Sequence, residues 1–168
     1  MLPATFSSPR LSLRLISAED HAFIRELVNT EGWLKFIGDR HIHSEEAAAA
    51  YIQKIRNTGD LHYWVVRLRE TQTPVGIISF LKRAYLDHFD IGFAFLPAHE
   101  GRGYAFEAAE TVLAALARLE KFGTILATTL PANHKSIKLL EKLGMQFSKE
   151  IQHENETLLV FEKKSLAG

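Results

Sequence analysis

The chain has 168 residues, 46% of them hydrophobic, with 20 Lys+Arg set against 20 Asp+Glu. That length fits a single domain over residues 1–168, able to bury roughly two-thirds of its unfolded surface, and the charge balance argues against nucleic-acid binding as the main role. There is no cysteine, hence no disulfide, thiolate metal site or cysteine nucleophile.

No apolar run approaches the roughly 20 residues of a membrane span. The opening Met1-Leu-Pro-Ala-Thr-Phe6 lacks the basic start and apolar core of a signal peptide, so a cytoplasmic location is expected. In chain order, Arg10 to Ile16 alternates Leu11, Leu13 and Leu15 with Ser12 and Arg14 and predicts a half-buried strand. Ser17-Ala-Glu-Asp20 is a capping start, and Phe23, Ile24, Leu27 and Val28 supply a helical apolar face. Thr30 to Arg40 predicts one short irregular helix containing Trp33, Leu34, Phe36 and Ile37. Ser44 caps the next helix, with Glu45 and Glu46 in its first turn and Ala48, Tyr51, Ile52 and Ile55 as its buried stripe.

Tyr63–Leu68 and Val75–Leu81 flank a polar turn and predict an antiparallel hairpin. Next comes the stretch that carries the chemistry. Phe89, Ile91, Phe93 and Phe95 alternate with Asp90, Gly92, Ala94 and Leu96, so the strand has one bulky face and one with a carboxylate and two small residues. Those small residues allow a close approach, by another chain segment or by a ligand. Pro97 ends the ladder because it has no N–H to donate. Gly101 and Gly103 can adopt positive φ, and a helix opens at once near Ala105. Successive N–H groups and the positive end of the helix dipole then suit a phosphate or pyrophosphate, although glycines for steric relief alone would look the same.

That helix is expected to run to about Lys121, with Ala105, Ala108, Ala109, Val112, Leu113 and Leu116 inward. Thr124–Leu130 is a continuous apolar strand, as in a sheet interior. Asn133 caps a helix through Leu143 that Gly144 ends, and a final hairpin turns at Glu154-Asn155. The last residues, Ser165 to Gly168, are expected to fray.

No G-x-x-x-x-G-K-[ST] occurs, and Phe106 stands where a dinucleotide fingerprint needs a third small residue. Glu100-Gly-Arg-Gly-Tyr-Ala105 instead resembles the [Q/R]-x-x-G-x-[G/A] acyl-CoA pyrophosphate loop of the GNAT (Gcn5-related N-acetyltransferase) superfamily. Glu100 departs from the leading Gln/Arg, as is frequent in the branch that acetylates ribosomal-protein N-termini (RimJ/RimL-like). A second block, Asn133-His-Lys-Ser136 with Leu139 to Phe147, is similar to the family's second CoA-side motif. The resemblance spans about Leu11 to Glu162. It implies an α/β (α+β) GNAT fold, with a mixed, mostly antiparallel central sheet flanked by helices.

It also implies an N-acetyltransferase that moves an acetyl group from acetyl-CoA to a primary amine, either a protein N-terminal α-amine or a small-molecule amine. By this resemblance the backbones of Phe93, Ala94 and Phe95 hold pantetheine, and the N–H groups of Gly101, Arg102, Gly103, Tyr104, Ala105 and Phe106 hold pyrophosphate. Asn133, also an ordinary helix cap, would orient the cofactor amide or a water. Ser136 would serve the leaving sulfur, because Leu140 occupies the place of the family's usual tyrosine acid. Asp90 is a candidate general base or a plain surface carboxylate. Trp33 and Arg40 fall where the fold forms its acceptor cleft, Trp33 more as core and Arg40 as a partner for an acceptor carboxylate. His41-x-His43 is the only close histidine pair, so no metal is expected. Ser12, Ser44 and Ser79 lack a nucleophile-elbow context. The alternative is a non-catalytic acyl-CoA-binding sensor or partner-binding module; either would be a monomer or homodimer, away from membrane and nucleic acid.

Overall fold

A computed structural model describes residues 2–165. Its frame is one eight-stranded sheet in the order β1-β2-β3-β4-β5-β6-β8-β7. The strands are β1 (Thr5–Ser7), β2 (Leu11–Leu15), β3 (Leu61–Leu68), β4 (Pro74–Leu81), β5 (Asp90–Phe95), β6 (Thr124–Thr129), β7 (Gln146–His153) and β8 (Glu156–Lys164). Every neighbouring pair is antiparallel except β5 and β6. The helices are α1 (His21–Val28), α2 (Glu31–Phe36), α3 (Glu45–Arg56), α4 (Tyr104–Leu116) and α5 (His134–Lys142).

Strand alternation divides the core into two layers. On one face Leu11, Leu13, Trp64, Val66, Ile78, Phe80 and Ile91 pack against Ala108, Ala109, Val112 and Leu116 of α4 and Leu140 of α5. On the other, Val65, Ile77 and Leu96 pack against Ile24, Leu27, Trp33, Ile52 and Ile55 of α1, α2 and α3. The short side chains of α4 let that helix lie close to the sheet behind β5. The parallel β5 and β6 need a crossover, and α4 supplies it.

Most elements follow the sequence pattern for the expected reason. Ser44 accepts from Ala47 N at 3.0 Å and Asn133 from Ser136 N at 3.2 Å, each satisfying a free donor of its helix. Gly144 takes φ +82° past the end of α5, and Glu154 and Asn155 take +48° and +66° in the β7–β8 turn.

Two expectations are corrected. α4 stops at Leu116, not near Lys121. The chain continues in tight turns, Leu119 N to Leu116 O and Phe122 N to Leu119 O. They carry the Phe122 ring to 5.1 Å from Phe80 and 5.3 Å from Phe89, edge-on. That aromatic cluster outweighs another turn of helix. Ser165 is tied down, donating from N to Gly123 O at 2.8 Å and from Oγ to Ala117 O at 3.1 Å; the rest of the expected frayed end, residues 166–168, lies outside the described residues. The N-terminal segment also adds an edge strand that the sequence pattern does not announce. Phe6 of β1 packs edge-on to Trp64 at 5.2 Å, and Trp64 Nε1 donates to Pro3 O.

Candidate active site

The site begins where the sheet comes apart. β5 and β6 pair only at Asp90 and Leu126, yet β5 continues to Phe95 and β6 to Thr129. In an antiparallel ladder both backbone groups of a residue face the same neighbour. Leu96 N donates to Val75 O, so the even residues of β5 face β4 and the odd residues, Phe93 and Phe95, face the gap. An extended ligand could pair with that edge as a strand does. Of the three residues expected to serve a ligand through their backbones, Ala94 is therefore turned toward β4.

Two helix starts stand at the mouth of this gap, after the C-terminal ends of the two parallel strands. This is where open α/β sheets bind ligands. At the first, Gly101 and Gly103 have φ +76° and +79°, and Gly103 is the N-cap of α4. A Cβ on Gly101 would meet nothing within 4 Å, and one on Gly103 only Arg10 Nη2 at 3.4 Å. These glycines are required by conformation, not by crowding. Among the described residues, the N–H groups of Gly103, Tyr104, Ala105 and Phe106 find no acceptor within the chain. They form a donor-rich concavity for an anion. Arg102 is exposed.

At the second start, Asn133 spends Oδ1 on capping α5, which leaves its Nδ2 for another partner. Ser136, one turn in, is half-buried. Lys135 Nζ lies 3.4 Å from Glu100 Oε2, so the two turns are neighbours. Leu140 is 1% exposed in the core behind them.

On the opposite face, a row of paired residues crosses three strands: Tyr63 to Ser79 to Gly92. A Cβ on Gly92 would lie 2.6 Å from Ser79 Oγ, so its small size is set by Ser79 of the neighbouring strand. Tyr51 of α3 reaches over the row, its hydroxyl 3.5 Å from that of Tyr63. Burial raises the Tyr63 pKa, reinforced by Tyr51.

Asp90 sits beside this row, 2% exposed, with both carboxylate oxygens 3.2 Å from Arg83 Nε. Burial pushes its pKa up, and Arg83 opposes the shift without cancelling it. A surface carboxylate is thus ruled out, and direct use as a base requires displacing Arg83. Trp33 is a core residue at 4% exposure, its Nε1 buried without a partner. Of its two expected roles, packing is the one that its inward-turned helical face gives it. Arg40 is exposed on the loop after α2, its Nη1 folded back to 3.1 Å from where a Gly38 Cβ would stand.

A profile of the acetyltransferase (GNAT) domain matches residues 10–146. The chain belongs to the GNAT acetyltransferase family. It is an acyl-CoA-dependent N-acetyltransferase, and acetyl-CoA is its family's acetyl donor. The Bacillus subtilis protein YnaD, described as an uncharacterized N-acetyltransferase, is 30% identical over 141 residues, 83% of this chain and 81% of that protein. The crystal structure of a GNAT-family acetyltransferase from Bacillus anthracis matches with a TM-score of 0.81 at 26% identity, over 96% of this chain and 98% of that one. RimL, a ribosomal L7/L12 α-N-protein acetyltransferase solved with coenzyme A, matches with a TM-score of 0.82 over 99% of both chains. At 14% identity that likeness speaks for the fold alone.

Several residues around the GNAT site escape sequence reading. Tyr51, Tyr63, Ser79 and Arg83 meet only because β3, β4 and α3 pack together, and no local motif marks them. Arg10 and Glu107 approach the pyrophosphate-type loop from the bend before β2 and from α4, and Arg10 was legible only as the edge of a strand. Asp39, His41 and His43 each bring a ligand atom within 4.8 Å of the others on the exposed loop after α2. Sequence spacing showed the histidine pair but not the aspartate. Among the described residues, no helix is long and apolar enough to cross a membrane.

Proposed function

We propose that this GNAT enzyme acetylates α-amines, with a protein or peptide N-terminus as acceptor. The observation that carries this reading is the engagement of Asp90 by Arg83, which leaves that carboxylate poorly placed as a strong base. An α-amine with pKa near 8 costs only about 1.4 kcal/mol to deprotonate at pH 7, whereas a lysine near 10.4 costs about 4.6 kcal/mol. A water relay suffices for the first and not for the second. RimL, which shares this fold, has a ribosomal-protein α-amine as its own acceptor, an acceptor of the same class.

Acetyl-CoA supplies a thioester whose C–S bond breaks as the amine forms its C–N bond. The residues present fit this donor. The free edge of Phe93 and Phe95 suits the amides of pantetheine, with Ala94 between them pinned to β4. The N–H groups of Gly101 to Phe106, including Arg102, suit the pyrophosphate. Asn133 Nδ2 orients an amide or a water, and Ser136 Oγ gives its proton or a hydrogen bond to the departing sulfur. Arg40 stands ready for a carboxylate of the acceptor. The enzyme acts without a metal, in the cytoplasm, as a monomer or homodimer.

Free-thiol release from acetyl-CoA tests this, using peptides with free or blocked N-termini, lysine-only peptides and polyamines, with Ser136→Ala as control. Release that needs a free α-amine and falls in the control is the expected result. Release with polyamines or side-chain amines alone would move the acceptor to another class.

A further inference from the structure

We propose that Arg10 is a positioning residue for the acetyl donor: by holding the Arg102 carbonyl it aims the Gly103 N–H into the pyrophosphate concavity. The proposal rests on the pyrophosphate reading of residues 101–106 given above.

Arg10 Nη1 donates to Arg102 O at 2.9 Å. A trans peptide is planar, with its C=O and N–H pointing in opposite directions, and no described peptide here is cis. Fixing the Arg102 carbonyl toward Arg10 therefore turns the Gly103 N–H away from it, to the open side of the loop. Gly103, at φ +79°, is the one residue type that tolerates this conformation and its alternatives almost equally. The same glycine that permits the loop leaves the orientation of its preceding peptide undetermined. A second contact has to choose one orientation, and Arg10 makes it.

The guanidinium is itself held on three sides. Its Nε donates to Glu107 Oε1 at 2.7 Å, and its plane lies over Tyr104, 4.6 Å from the ring centroid. Glu107 is fixed in turn by Ser8 Oγ at 2.6 Å and Arg10 N at 3.0 Å. Burial would raise the Glu107 pKa, but the bonds from Ser8 and Arg10 outweigh it and hold the carboxyl below its ordinary value. It stays ionised and keeps Arg10 in place. Lysine cannot reproduce this fork, because one ammonium cannot reach both partners in the same geometry.

The test compares acetyl-CoA with S-acetylpantetheine, which has the same thioester but no pyrophosphate. For Arg10→Ala, KM for acetyl-CoA should rise about tenfold, the effect of one weakened donor to a charged group. Its kcat should change less than about twofold, and kcat/KM for S-acetylpantetheine should stay put. Arg10→Lys should recover only part of the loss. Equal losses on both donors, or a fall in kcat alone, would assign Arg10 to general stability and overturn the proposal. A wild-type enzyme that uses both donors equally well would remove the pyrophosphate site itself, a different failure that takes the proposal with it.

Discussion

The regions we propose as the donor side and the acceptor side of this protein are built from different materials. The donor side is mostly backbone: the free edge of Phe93 and Phe95, and the N–H groups that follow Gly101 and Gly103. The region we propose for the acceptor, across the sheet, is made of side chains, Tyr51, Tyr63, Ser79, Arg83 and Asp90, brought together from four elements and a loop. A backbone site depends on chain conformation, so only residues that set φ or a peptide plane can spoil it. A side-chain site can be re-specified one residue at a time. Within one fold, the donor can stay fixed while the acceptor changes.

Substitutions can break or sharpen that contrast. The largest effect is expected at Gly103, where φ +79° excludes a β-branched residue. Gly103→Val should lower kcat/KM for acetyl-CoA by about a hundredfold, equivalent to roughly 2.7 kcal/mol, read by steady-state kinetics. Ser136→Ala comes next. The loss of about tenfold to a hundredfold should lie in kcat, with KM for acetyl-CoA little changed.

Gly76→Ala tests packing without chemistry. Its Cβ would fall 2.4 Å from the Phe95 ring and 2.7 Å from Ala94 O, so denaturant unfolding should register a loss of about 1–3 kcal/mol. Because Phe95 lies on the edge we propose for the donor, KM for acetyl-CoA should rise as well; an unchanged KM would separate that edge from donor binding.

Asp90→Asn examines the acceptor side. The folded carboxyl titrates above its ordinary value, so its charged form is lost at higher pH than for a free aspartate as the solution is acidified. If it takes part in proton transfer, kcat has a low-pH limb governed by that raised pKa, and the amide flattens it. The stability sign is opposite to that of a salt-bridged surface acid: the protonated form favours folding, and that contribution fades as pH rises through the raised pKa. An unchanged pH profile in Asp90→Asn would leave it as Arg83's partner only. The smallest effect is expected from dialysis against a chelator, which should leave thiol release unchanged. A loss restored by zinc or nickel would turn attention to Asp39, His41 and His43.

The same division explains what the sequence could tell. Gly101, Gly103, Pro97 and the alternation from Phe89 to Leu96 mark the donor side because backbone requirements leave local signatures in residue type. The caps Ser44 and Asn133 and the stop at Gly144 were legible for the same reason. The acceptor side was not, since Arg83 meets Asp90 only after the loop between β4 and β5 folds back, and Tyr51 meets Tyr63 across a helix–sheet contact. Gly92 shows the limit well: the sequence shows that it is small, but only the register of β4 and β5 identifies Ser79 as the reason. Trp33 was legible as a core residue despite its place along the chain, and its helical face does turn it into the core. The end of α4 escaped too, since nothing in residues 117–121 announces that Phe122 will be drawn edge-on against the stacked rings of Phe80 and Phe89.

The parting of β5 from β6 has a consequence for how the protein survives in solution. A strand edge left open inside a sheet is a place where water enters and where a stray segment of another chain can pair. Whatever ligand lies along Phe93 and Phe95 closes that edge, and a ligand that binds only the folded state stabilises it by mass action, about 2.7 kcal/mol at a hundredfold excess over its Kd. The supply of donor would then govern how long the protein lasts as well as how fast it turns over.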